Sequence, residues 1–488
     1  MFLHWIDQHR DELLRFAAGL VATPSPNLPG DERAVVAVIL AEMNRLGLSG
    51  ADIAAKEPNR PNVIFRLRGR RPGPVPVLRG HSDTKPVGDA SQWQTDPFQP
   101  VFNDGKLYGL GSTDMKGAVA AMIYATAALR ECEADSVGDL LPVINADEER
   151  SMKFGSEFLA KDYGLHADVA LLGEPSGIDG PEFEFLHLLS RGISCFRIRM
   201  FGTQMHSSLT DRLPSLNTNI KLAEVLKRMN RELRLTFSPH PLCTAPTVNL
   251  AVRIDGGVGY GVCPGVAEFQ TDIRTLPGMT RSQLEVDVER FLDAMRKDDP
   301  GLRVELEFEQ PPLDWIPPTE VPADHLLVAA LLIAAEQVLG WRPRLSAFPG
   351  GTDASKFQVL AGIPTIPSFG PGWLRLAHGP NECVGTEAIT MPAAMSRRYE
   401  CGIMPGSKCV CSLEVARSMS GNAVRTCPSG SRSSGTLTTA IRKSEAAAVG
   451  SSVEFRMFAD MFQSSFFTLK ETTRYLHQFA RPVPTQPF

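Results

Sequence analysis

This 488-residue chain has no long apolar run, no excess of one charge and no paired-cysteine pattern. Its longest apolar stretches, residues 117–129 and 326–335, fall short of the roughly 18 to 20 residues a helix needs to cross a bilayer. Both read as buried helices, and no membrane partner is expected. Fifty-five acidic residues stand against 50 basic ones, a net charge of -5 without long blocks of one sign. The positive footprint of a nucleic-acid-binding surface is therefore missing, and a small-molecule substrate is expected. Nine cysteines is an odd count, and Cys132, Cys195, Cys243, Cys263 and Cys383 stand alone, so they read as reduced packing residues. The chain meets Asp7, His9, Arg10, Asp11 and Glu12 before any apolar core of signal-peptide length, which predicts a cytoplasmic location. Several catalytic signatures are also missing: H-E-x-x-H, G-x-S-x-G and the phosphate loop G-x-x-x-x-G-K.

What is present is the composition of a soluble globular protein, 43% hydrophobic and 22% charged, at a length that implies at least two domains. From residue 63 short apolar runs alternate with helical ones: 63–67, 75–78, helix 115–129, 141–144 and 169–172. That pattern predicts an α/β layered domain. Near Arg191 the rhythm changes to strand 193–201, helix 216–233, strands 248–254 and 267–274, helix 281–295 and strand 302–308. This is the split βαβ order of an inserted second domain, since the α/β pattern resumes with helix 324–339 and strand 365–369. The expected division is a catalytic domain over 1–188 and 304–403, an insertion over 189–303, and a tail over 404–488. The tail is rich in Ser, Gly and Thr, its Cys409-x-Cys411 has no histidine close by, and no function is assigned to it.

Acids and histidines recur just after apolar strands or at helix starts, where the loops of an α/β sheet converge on a ligand. His81-Ser82-Asp83 follows residues 75–80, Asp114 precedes a helix, Asp147-Glu148-Glu149 follows 141–146, Glu174 follows 169–173, and His378 lies in Ala377-His378-Gly379-Pro380. Each has a bland alternative as a core histidine or a solvated acidic face. Together they form the inventory that two divalent ions about 3.5 to 4 Å apart require, with one carboxylate shared between them. In the Glu148-Glu149 pair, adjacent side chains point differently, so one can ligate while the other faces the attacking water. Asp83 lies on the same side of an extended segment as His81 and could orient its imidazole.

These segments resemble the di-zinc aminoacylase and carboxypeptidase family that includes acetylornithine deacetylase, succinyl-diaminopimelate desuccinylase and bacterial glutamate carboxypeptidase. The likeness runs through Gly80-His81-Ser82-Asp83-Thr84, Asp96-Pro97-Phe98, 104–109, 111–117, Asp147-Glu148-Glu149, Gly173-Glu174-Pro175-Ser176, Gly350-Gly351-Thr352-Asp353-Ala354, Phe369-Gly370-Pro371-Gly372 and Ala377-His378. It covers residues 5 to 400. It implies a di-zinc exopeptidase-like catalytic domain, a mixed sheet flanked by helices, with an inserted ferredoxin-like dimerisation or lid domain.

The resemblance further implies two Zn ions, with Co as an alternative. His81 and Glu174 would hold one, Glu149 and His378 the other, and Asp114 would bridge them. Glu148 would be the general base, and Asp83, orienting His81, is counted with it among the catalytic residues. His206 would reach the reacting carbonyl of a neighbouring subunit in a homodimer. Arg274 would grip a substrate carboxylate, with Asn249 and Thr352 as further substrate contacts. The activity implied is cleavage of a linear amide in an N-acyl amino acid; a dipeptidase or carboxypeptidase is the alternative, and a non-catalytic dimeric binding protein a third. Two departures stand out. Arg150-Ser151-Met152-Lys153 replaces the usual small residue after the acidic pair, and Lys85 stands where an apolar residue is more common.

Overall fold

The computed structural model describes residues 2–132 and 137–391. Among these, six strands form the central sheet in the order Asp52–Ala54, Asn62–Ile64, Leu141–Asn145, Pro76–His81, Val169–Leu172, Thr365–Ile366. Asn62–Ile64 runs antiparallel to both neighbours, and the remaining pairings are parallel. The sheet is therefore mixed, as expected. Every residue of Pro76–His81, Leu141–Asn145 and Val169–Leu172 is buried, the mark of strands covered on both faces.

Helix Gly117–Glu131 covers one face, with residues 117–129 buried. Its Val119, Ile123 and Tyr124 pack with Phe16, Val36 and Ile39 from helices Arg10–Val21 and Arg33–Arg45. Leu159, Phe357 and Ile363 close over Val77, Val143 and Ala170. The sequence predicts the start of the central helix at Met115, two residues early. Asp114 (φ -127°, ψ 86°) and Met115 (φ -140°, ψ 36°) leave helical geometry, so the chain turns at Asp114 before the helix begins. The structure also has a small sheet of Thr319–Glu320, Phe185–Ser190 and Arg344–Phe348, which the periodicity did not reveal.

Register brings the loops together. His81 pairs with Asn145 and Arg79 with Leu172, so the segments holding Asp83, Glu148 and Glu174 all leave the same carboxyl edge of the sheet.

Between Arg191 and Phe308 the chain builds Gly192–Phe201, helix Thr218–Glu232, Thr247–Gly256, Val266–Thr275, helix Arg281–Asp298 and Arg303–Phe308. The four strands are antiparallel in the order Thr247–Gly256, Val266–Thr275, Gly192–Phe201, Arg303–Phe308. Burial along Gly192–Phe201 alternates strictly, giving one face to the two helices. Phe196, Ile198, Met200, Phe269 and Ile273 meet Leu222, Val225, Val288 and Leu292 in a core of their own. Asn217 and Thr280 cap the two helices through their side-chain oxygens. Thr247–Gly256 is an edge strand with Val248, Val252 and Ile254 at 36%, 57% and 55% exposure.

Phe269 is fully buried in this core. Phe269→Ala is expected to cost about 3–5 kcal/mol in chemical denaturation, the usual range for an aromatic deleted from a core. A loss below about 1 kcal/mol would show that the two helices are not packed on the sheet.

Candidate metal centre

The residues at the sheet's carboxyl edge form one cluster around Asp114. Its Oδ1 lies 3.0 Å from His81 Nε2 and its Oδ2 lies 3.0 Å from His378 Nε2, so a single carboxylate spans two imidazoles. Glu174 Oε1 stands 3.7 Å from His81 Nε2, and Glu149 Oε2 stands 3.2 Å from His378 Nε2. His81, Glu148 and Glu174 can offer ligand atoms within 4.8 Å of one another, and so can His81, Asp114 and Glu149. His81, Asp114, Glu149 and Glu174 are buried, whereas the His378 side chain is 44% exposed and marks the open side. His378 sits at φ +63°, an uncommon conformation for a non-glycine residue.

Each of these groups is held by its surroundings. The His81 Nδ1–H donates to the Asp83 carbonyl oxygen at 2.9 Å, which aims Nε2 at Asp114. The Asp83 carboxylate is 3.5 Å from the same ring. Its main work is elsewhere: Oδ1 accepts from the Glu148 amide at 3.1 Å, and Oδ2 from the Glu149 amide at 3.1 Å and Asn27 Nδ2 at 2.9 Å. The sequence expectation is that Asp83 orients the imidazole; here its backbone carbonyl bonds the ring, while its side chain pins the two-glutamate turn. Asp147 shapes that turn from φ +61°, accepting from Asn27 and from the Lys153 and Phe154 amides.

Three supporting acids and bases were not singled out from the sequence. Glu382, buried four residues past His378, accepts from the Gly111, Thr113 and Asp114 amides at 3.0, 2.9 and 3.0 Å. It ties the His378 loop to the turn that presents Asp114. Burial pushes its carboxyl up to about 8, the charge of Asp114 adding to this and the three amides opposing it. Arg79 and Asp353 form a buried ion pair beneath the site, with Asn145 Nδ2 donating to Asp353 at 3.0 Å and Ser156 also bonded to it. Asp353 belongs to the Gly-Gly-Thr-Asp-Ala segment, which gave a signal; Glu382 follows His378 closely, but nothing in its spacing distinguished it.

The electrostatics are those of an anionic pocket. Two unit charges about 4 Å apart interact by about 4 kcal/mol at an effective dielectric near 20, so four clustered carboxylates repel strongly. Burial would lower His378, but hydrogen bonds to Asp114 and Glu149 outweigh it and carry the imidazole up to about 11. His81 follows the same pattern: burial opposes its charge, while Asp114 and Asp83 hold it well above its ordinary range. Burial first, and neighbouring acids second, push Glu174 well above the carboxylate range. Glu148 is raised likewise, by burial and then by Asp353. The residues fit divalent ions: the donor set is imidazole and carboxylate, and Glu149 Oε1 is buried without a hydrogen-bond partner.

The remaining expected residues make their hydrogen bonds and ion pairs locally, with none to the clustered ligands among those of the described residues. His206 is exposed on the short ribbon of Met205–His206 with Val262–Cys263, its Nδ1 accepting from the Ser208 amide at 3.2 Å. Arg274 and Asn249 flank Asp272 on the inserted sheet, at 3.5 and 2.8 Å. Thr352 is buried, with its hydroxyl accepting from the Ala354 amide at 3.3 Å. Arg150 is exposed, while Lys153 stands 5.6 Å from the centre of the Phe154 ring.

A buried imidazole–carboxylate centre at the ends of parallel strands, on a mixed sheet between helices, is that of a divalent-metal hydrolase. The chain belongs to Peptidase family M20/M25/M40, which matches residues 77–399. It is 31% identical over 336 residues to acetylornithine deacetylase of Pectobacterium carotovorum, covering 68% of this chain and 80% of that one. It is 33% identical over 334 residues to the acetylornithine deacetylase of Photorhabdus laumondii, covering 67% and 79%. Among solved structures, the fold is shared with the di-peptidase Dug1p of Saccharomyces cerevisiae (TM-score 0.63, 16% identity, 82% of this chain and 98% of that one). Human carnosine dipeptidase 1 shares it too (TM-score 0.61, 21% identity, 82% and 98%). The family likeness drawn from the motifs is met.

Glu382→Gln retains shape but turns an amide donor toward a backbone donor. It is expected to weaken divalent-ion binding by about 10- to 100-fold while the chain stays folded, as for other supports of metal ligands. Unchanged metal affinity by equilibrium dialysis would remove Glu382 from that role.

Proposed function

We propose that this protein uses two divalent ions, zinc or cobalt, to hydrolyse the linear amide of an N-acyl amino acid. The observation that carries this reading is the Asp114 carboxylate, whose two oxygens each face a different histidine at 3.0 Å. His81 and Glu174 then serve one ion and Glu149 and His378 the other. The relatives named acetylornithine deacetylase support a deacylase over other amide hydrolases. When bound, such an ion pair supplies Lewis acidity, acidifying water and polarising a carbonyl oxygen.

The chain's own groups carry the rest. Glu148 takes the proton from the attacking water and returns it to the leaving nitrogen, so the products are a carboxylate and a free amine. Asp83 holds the Glu148 and Glu149 amides and so sets where that base stands. Arg274 offers a planar guanidinium to a substrate carboxylate, with Asn249 and Thr352 beside the substrate. His206 stabilises the developing oxyanion from a partner subunit. A homodimer joined through residues 189–303 provides that partner, a reading supported by the apolar side chains of the exposed edge strand Thr247–Gly256.

The test is a panel of N-acetyl and N-succinyl amino acids against dipeptides, using the metal-loaded protein. Faster turnover of dipeptides would move the reading to a peptidase, and no turnover of any amide would sink it. Glu148→Ala is expected to keep its metal and lose about 10²- to 10⁴-fold in kcat, whereas Glu149→Ala should lose metal. Near-normal turnover in Glu148→Ala would refute the base assignment.

The shared site has a separate check. Mixing His206→Ala with Glu148→Ala chains creates dimers in which one site holds both intact residues, and activity should return to about a quarter to a half of the wild-type rate if sites act independently. No recovery despite proven subunit exchange would put His206 outside the site.

A further inference from the structure

Lys85 is the departure that the site makes meaningful. It follows Thr84, whose amide donates to the Ser25 carbonyl at 3.0 Å and whose carbonyl accepts from the Asn27 amide at 2.8 Å. The side chain therefore starts from an anchored backbone. Its Nζ stands 3.0 Å from Glu149 Oε2 and also donates to the Glu149 carbonyl oxygen. Glu149 Oε2 is the same oxygen that faces His378 Nε2 at 3.2 Å. No hydrogen bond or ion pair joins Lys85 to His81 or Glu174 among the described residues, so the ammonium belongs to one half of the pocket.

We propose that Lys85 is a tethered cation competing with the divalent ion on the Glu149–His378 side, so that the two ions bind with unequal affinity and the His81–Glu174 side fills first. This inference rests on the two-ion reading above. An ion held by Glu149 Oε2 at about 2.0–2.2 Å lies within about 5 Å of Lys85 Nζ unless the lysine withdraws. Binding there must either break a charge-assisted hydrogen bond or accept repulsion between an ammonium and a dication in a low-dielectric pocket. The Lys85 side chain is 35% exposed while that of Glu149 is 3% exposed, so the lysine has room to yield and the glutamate does not. The outcome is a graded second site rather than an abolished one.

The full chain, stripped of metal by a chelator, is titrated with Co²⁺ and separately with Zn²⁺, and both dissociation constants are read by calorimetry with metal analysis. In the wild type the second ion should bind at least about tenfold more weakly than the first. Lys85→Met should tighten the second ion by at least about tenfold and change the first by less than about threefold, whereas Lys85→Arg, which keeps the charge, should retain the gap. Lys85→Gln is measured alongside as a second neutral variant, and circular dichroism verifies the fold of each. A second affinity unchanged in both neutral variants, or both affinities moving together, overturns the inference while leaving the two-ion reading intact. A wild type that binds no divalent ion overturns both.

Discussion

Four carboxylates and two imidazoles meet in a small, mostly buried pocket, and such a gathering of like charge is tolerable only if cations sit among them. The rest of the catalytic half answers to that constraint. His378 and Asp147 sit at φ +63° and +61°, and a residue held in a sparse backbone region costs about 1–3 kcal/mol. They persist because the surrounding structure holds them. Asp83, Glu382 and Asp147 each spend a carboxylate on backbone amides to keep a loop in place. Beneath them, Arg79 and Asp353 join the central strand to the Gly-Gly-Thr-Asp-Ala segment across 274 residues of chain.

Parallel strands make this economical. Three of them end side by side, so their loops deliver His81, the Glu148–Glu149 pair and Glu174 to one edge without long connections. The fourth contributor, Asp114, comes from a turn that breaks helical geometry just before the main buried helix. His378 arrives last and stays half-exposed, which leaves the pocket open on its side. A site built this way has a buried floor and one open wall. Lys85 stands beside Glu149, with its backbone anchored and its ammonium paired to the Glu149 carboxylate.

The inserted sheet obeys a different logic. Its helices bury one face completely, and its other face and its edge strand carry the polar and apolar groups that have no role in its own core. His206, Arg274 and Asn249 lie on that unit, and their hydrogen bonds and ion pairs are local. A residue placed so that it satisfies itself locally can act on a distant substrate only if another surface comes to it. The proposal that His206 serves a neighbouring subunit's reaction rests on the family resemblance, and among the described residues these local contacts leave its outer ring nitrogen uncommitted.

That acids and histidines gather at one edge of the sheet was legible in the sequence, because strands deliver such residues at their carboxyl ends. His81, Glu148, Glu149 and Glu174 each follow an apolar run, so pattern and chemistry point to the same positions. The alternation of Gly192–Phe201 was equally readable, since a strand with one buried face must repeat every second residue. What only the tertiary structure decided was who supports whom. Glu382, Asn27, Arg79 and Asp353 act through hydrogen bonds to residues tens to hundreds of positions away, and no local periodicity records such a pairing. The same holds for Lys85. Its sequence position marked it as unusual, but its charge gained meaning only when folding set it 3.0 Å from Glu149, because electrostatic interactions depend on distance in space and not on order along the chain.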